Sequence, residues 1–112
     1  MKNIEIINNI NALNVLVEKD MALPVKVGYA INRNLKKLIA EYNIFEEERK
    51  KIVPPNYEEK TENEKKEIDV KFNELANIEV DVEIYKINLE DFGVCDSLSA
   101  RDMLILDFMI ED

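Results

Sequence analysis

From residue 31 to residue 52 the apolar residues fall at alternating steps of four and three: Ile31, Leu35, Leu38, Tyr42, Phe45, Arg49 and Ile52. Six of these seven are apolar or aromatic, so the spacing draws one narrow stripe along an α-helix for about three heptads. Pro54-Pro55 stops that helix, and Pro24 suits its first turn, where a missing amide costs nothing. Glu46–Lys50 and Glu47–Lys51 add pairs one turn apart, each worth a few tenths of a kcal/mol. A long helix with an apolar stripe must be covered. After the polar run 56–66, Ile68, Phe72 and Leu75 repeat the four-three spacing, which predicts a third helix folded back along the second. Three positions cover only part of the stripe, leaving the remainder for the first helix, the C-terminal helix or another subunit.

The other segments are shorter. Residues 3–7 alternate and read as a brief strand, with Asn8 or Asn9 capping a helix over about 9–19 through Ile10, Leu13 and Val17. A helix reaching back to Ile6 fits equally well. Residues 78–87 alternate cleanly, placing Ile78, Val80, Val82 and Ile84 inward and Glu79, Asp81 and Glu83 outward, as a half-buried strand does. Such a strand needs a partner, for which residues 3–7 or the same strand of another copy are the candidates. Ser99 and Asp102 spell a short capping box, and Met103, Leu104, Leu106, Phe108 and Ile110 follow as a terminal helix. Asp107, Glu111 and Asp112 then lie at the unfavourable end of its dipole, where a cation from segment 23–40 would relieve them. The expected fold is α+β and mostly helical. It is one domain over residues 1–112, a long helical hairpin with two shorter helices and a minimal two-stranded β element.

Composition removes most chemistry. The chain has no histidine, which excludes histidine-based acid–base catalysis, the Ser-His-Asp and Cys-His arrangements and every histidine-containing metal site. Cys95, the one cysteine, has no thiolate partner and reads as a small apolar or loop residue in a reducing compartment. Two glycines, Gly28 and Gly93, cannot build the usual phosphate loops, so Asp91-Phe92-Gly93 is not the kinase tripeptide it spells. Glu79, Asp81 and Glu83 offer no more than an unspecific divalent-cation site. No enzyme, cofactor or metal is therefore expected. The net charge of −9 argues against direct nucleic-acid binding. No stretch reaches the roughly 20 apolar residues of a membrane span, and the N-terminal segment lacks the pattern of a secretory signal, so a cytoplasmic protein is expected.

One segment runs against the acidic balance. "LPVKVGYAINRNLKKLIA" carries Lys26, Arg33, Lys36 and Lys37 and no acid. At 100° per residue Lys26, Arg33 and Lys37 fall within about 40°, flanked by Tyr29 and Lys36 and well away from the apolar stripe. Asn32 and Asn34 lie beside them as further donors, and Gly28 leaves room for a close approach. Three readings stay open: a solvated stripe paired with the molecule's own acids, a docking surface for a protein, or a cradle for an anionic nucleotide. Lys26, Tyr29, Arg33, Lys36 and Lys37 are the candidate partner- or ligand-binding residues. The acidic strand face carries a rival idea, imitation of a phosphate backbone.

With "LPVKVGYAINRNLKKL" and the closing "INLEDFG…SLSARDMLILDFMIED", nearly the whole chain resembles a family of small proteins of tailed bacteriophages and prophages of low-GC Gram-positive bacteria. The resemblance implies a protein made inside an infected bacterium, with a host-takeover or virion-assembly role. The leading expectation is a self-associating, non-enzymatic protein that binds a host protein and inhibits anti-phage defence. A sponge for an anionic nucleotide signal and a tail-assembly chaperone are the alternatives.

Overall fold

A computed structural model describes residues 1–19, 22–93 and 98–111. Helices α1 (Asn3–Glu18), α2 (Val25–Ile52) and α3 (Glu62–Ala76) precede strand β1 (Ile87–Asn88), helix α4 (Ala100–Leu106) and strand β2 (Ile110–Glu111). The chain is mostly helical α+β, as expected. It is elongated, 56 × 26 × 19 Å, because α2 runs unbroken through most of its length.

The heptad stripe does what its spacing dictates. Ile31, Leu38 and Phe45 are buried, and Leu35, Tyr42, Arg49 and Ile52 half-buried. Thr61 caps α3 by accepting from the Glu64 amide at 3.2 Å, and Phe72 then meets Phe45 edge-on at 6.1 Å, closing the hairpin. Arg49 keeps its place at the stripe's edge by pairing with Glu46 through two contacts of 2.8 Å. On that face the ion pairs are Glu46–Arg49 and Glu48–Lys51, three residues apart, and not the expected pairs four apart.

The N-terminus corrects the strand reading. Helix α1 starts at Asn3, because Ile6, Ile10, Leu13 and Leu16 form one buried stripe against α2 while Ile4 faces outward. Val17, expected inward, is exposed, and Leu16 takes its place. The helix begins five residues before the expected cap, with Glu5 accepting from the Lys2 amide at 3.0 Å and buried Asn3 donating to the Leu75 carbonyl at 2.9 Å.

The alternating segment keeps its pattern of burial but not its ladder. Val80, Val82 and Ile84 pack on the core and Glu79, Asp81 and Glu83 are exposed, but Ile78, expected inward, is exposed. Its antiparallel pairing is a single bridge, Lys2 to Glu79, with the Val80 amide donating to Met1 and the Asn3 amide to Ile78. The N-terminal end does supply the partner, from residues 1–3 and not 3–7. The two-stranded element lies elsewhere. β1 and β2 pair in parallel, Ile87 with Ile110 and Asn88 with Glu111.

That pairing also shortens the terminal helix. Ser99 and Asp102 form the expected capping box, but α4 ends at Leu106 and tightens into a 3-10 turn over Asp107–Met109. The tighter turn buries Met109 completely and swings Ile110 into the strand. Asp91-Phe92-Gly93 has a structural use. Phe92 is a core residue, Asp91 accepts from the Asn88 amide at 2.9 Å, and Gly93 leaves the turn at φ +55°, ψ −145°, a conformation for glycine.

Candidate interaction face

Helix α2 presents Val25, Tyr29, Arg33 and Lys36 to solvent along its first three turns, Val25 at 88 % exposure. Arg33 bends back along the helix and donates from Nη1 to the Tyr29 hydroxyl at 2.8 Å. Its guanidinium lies 6.0 Å from the Tyr29 ring centre and 5.3 Å from that of Tyr85. The two rings meet edge-to-face at 5.5 Å. The Tyr29 hydroxyl and the Tyr85 ring thus hold one guanidinium, restricting the arginine while most of its N–H groups stay available.

Tyr85 is the residue that periodicity missed, being 56 positions from Tyr29. Asn34 places it. The Asn34 Oδ1 accepts from the Tyr85 amide at 2.7 Å, and Nδ2 donates to the Tyr85 carbonyl at 2.9 Å. One side-chain amide thereby satisfies both backbone groups, as a neighbouring strand would. Asn34, expected as an outward donor beside the stripe, is fully buried. On a helical wheel it falls near Val27 and Ala30, both buried, so its burial was legible there.

The fold consumes two of the five candidate residues. Lys26 pairs with Asp91 at 3.3 Å, and Lys37 donates to the Glu83 carbonyl at 2.6 Å. Asp91 is held below the usual carboxylate range, first by the Asn88 amide and then by Lys26. Tyr29, Arg33 and Lys36 remain exposed. Neither Arg33 nor Lys36 has a carboxylate partner among the described residues, although the chain holds 24 acidic side chains.

The cations of segment 23–40 therefore serve Glu83 and Asp91, not the acidic C-terminus. There Lys86 donates to the Phe108 carbonyl at 3.0 Å, and Asp112 lies outside the described residues, as does Cys95. A cleft of about 280 Å³ opens between α1 and α2, lined chiefly by Leu16, Leu23, Gly28, Ile31 and Leu35. It is on the flank of α2 and includes none of the five candidate residues. A side chain at Gly28 would meet nothing within 4 Å, so no neighbouring backbone closes on it among the described residues. No group of three or more metal-ligating side chains converges among the described residues, and no described helix is long and apolar enough to cross a membrane.

A second polar cluster ties α1 to α4. Lys19 donates to buried Asp102 at 2.7 Å, while the other carboxylate oxygen accepts from the Ser99 amide at 3.1 Å. Lys19, and after it Ser99, keeps Asp102 below the usual carboxylate range. Its groups satisfy one another.

Comparison with known proteins finds no matching family model, no similar curated protein and no similar solved structure.

Proposed function

We propose that the chain is a non-enzymatic interaction protein that works in the bacterial cytoplasm and engages a host protein through the Tyr29–Arg33–Lys36–Tyr85 face, blocking an anti-phage defence. The observation that carries the interaction reading is an aromatic-braced guanidinium and a lysine, both exposed and without a carboxylate partner among the described residues, on a chain of net charge −9. Tyrosine and arginine are the residues that dominate protein interfaces. Small-molecule sites are concave, whereas the cleft between α1 and α2 contains none of these residues, which favours a protein over a nucleotide. The phage context rests on the resemblance of the Leu23–Leu38 stretch and the closing segment to phage proteins.

The test is affinity capture from infected cells followed by native mass spectrometry, with wild type and Arg33→Glu/Lys36→Glu in parallel. A stoichiometric host protein on wild type alone supports the reading. A small added mass would instead assign nucleotide sequestration, a virion protein would assign assembly chaperoning, and a bare chain would overturn all three.

A further inference from the structure

Extended backbone turns the N–H and C=O groups of successive residues to opposite edges, and the segment 78–85 uses its two edges differently. Odd-numbered residues face α2: the Glu83 carbonyl accepts from Lys37, and Asn34 holds both the amide and the carbonyl of Tyr85. Even-numbered residues face the N-terminal end. There the Ile78 carbonyl accepts from the Asn3 amide at 3.1 Å, and Val80 exchanges bonds of 2.8 and 3.1 Å with Met1. Lys2 bridges Glu79 between them, so these contacts start an antiparallel ladder in a single register. Val82 and Ile84 come next on that edge, and their amides and carbonyls bond to no described residue. Backbone groups that no protein atom satisfies are those that water reaches, so the ladder is begun at Ile78 and Val80 and left open beyond them.

The side chains along this edge say what strand fits it. Val82 and Ile84 pack on the core, while Asp81 and Glu83 are exposed and form no ion pair among the described residues. On a strand added in the same register, residues opposite Val82 and Ile84 share the core-facing side. Those opposite Asp81 and Glu83 share the acidic outward side. A second copy fits badly, because antiparallel pairing across a two-fold axis sets Asp81 opposite Glu83, or Glu83 opposite itself. We propose that Val82 and Ile84 are a β-augmentation site for an extended segment of another protein in which apolar and cationic residues alternate. That segment runs antiparallel to 82–84 and exchanges both backbone bonds with each of the two residues, while its cations meet Asp81 and Glu83. The site stands on the backbone edge and uses none of the side chains of the Tyr29–Arg33 face.

The full chain and capped heptapeptides that alternate lysine with valine test it. In nuclear magnetic resonance, adding peptide should shift the Val82 and Ile84 amides and slow their exchange, leaving the Asp81 and Glu83 amides little changed. Methylating the valine amide nitrogens keeps the peptide's charge but removes the donors that face the edge, and should weaken binding about tenfold or more. A glutamate–valine peptide should bind more weakly by a similar factor. Asp81→Lys/Glu83→Lys should reverse that preference while keeping the helical circular dichroism spectrum. A lysine–valine peptide that fails to bind at millimolar concentration would overturn the inference. So would a methylated peptide that binds as well as its parent, or protection that falls on Asp81 and Glu83. Protection of Val82 and Ile84 that rises with protein concentration in the absence of peptide would make a second copy the occupant, and would overturn it too.

Discussion

Asn34→Ala tests the most unusual joint in the fold. The substitution removes two hydrogen bonds of 2.7 and 2.9 Å to the backbone of Tyr85 and leaves an amide and a carbonyl without partners. Each such bond contributes about 1 kcal/mol net, and an orphaned buried group costs about 1–3 kcal/mol. Tyr85 is 38 % exposed, so water can reach part of the vacated space and the lower figures apply. The expected loss is about 2 kcal/mol, a fall of about 8 °C in the thermal midpoint or about 1 M in the urea midpoint. Asn32→Ala, about 200° around the helix and exposed, should stay within about 0.5 kcal/mol of wild type. Asn34→Asp keeps an acceptor for the Tyr85 amide but faces the Tyr85 carbonyl with a second oxygen, so it should cost more than alanine. Hydrogen exchange at the Tyr85 amide should accelerate in Asn34→Ala together with the loss of stability. If Asn34→Ala proves no worse than Asn32→Ala, or the Tyr85 amide stays protected, then ring packing against Tyr29 and Arg33 holds the segment and the clamp argument is wrong.

Two further outcomes follow from local geometry. Asp102 has a folded pKa below its unfolded value, so its contribution is fully present above the ordinary carboxylate pKa and is lost as pH falls through the folded one. The difference in thermal midpoint between wild type and Asp102→Asn should therefore be largest near neutrality and shrink below about pH 4; a constant difference would detach Asp102 from the acid sensitivity. The two glycines should respond with opposite sign in urea titrations. Gly28→Ala fills open space in a helix and should stabilise by about 0.5–1 kcal/mol, whereas Gly93→Ala forces a side chain onto φ +55° and should cost about 1–3 kcal/mol.

What the sequence discloses follows from where the hydrogen bonds are made. Helix α2 and its hairpin with α3 are legible because helical bonds are local and the buried face repeats every three or four residues. Ile31, Leu38 and Phe45 could hardly be buried otherwise. The alternation of residues 80–84 is equally legible as burial, since inward and outward side chains obey a period of two. Which groups satisfy that segment's backbone is not. Met1, Asn34 and Lys37 are scattered through the first third of the chain, and no periodicity announces a side-chain amide acting in place of a strand. The β1–β2 pairing joins residues more than 20 apart through two positions each, too short to imprint a pattern. The apolar run 103–110 reads as helix throughout, and its exit into β2 is set by the pairing of Ile110 with Ile87, a contact that leaves no local pattern.

The acid-free stretch of an acidic chain can now be divided by task. Lys26 and Lys37 hold the C-terminal half of the molecule against α2, one through the carboxylate of Asp91 and the other through the carbonyl of Glu83. An acid at position 26 would set like charge against Asp91, and one at position 37 would face a carbonyl dipole, so both positions favour a cation over an acid. Arg33 and Lys36 serve no such contact among the described residues. The Tyr29 hydroxyl and the Tyr85 ring hold the Arg33 guanidinium at the surface. Structural need thus accounts for half of the positive charge in this stretch. The other half, Arg33 and Lys36, is displayed at the surface with no carboxylate partner among the described residues, and it is this charge that the proposed interaction face offers to a partner.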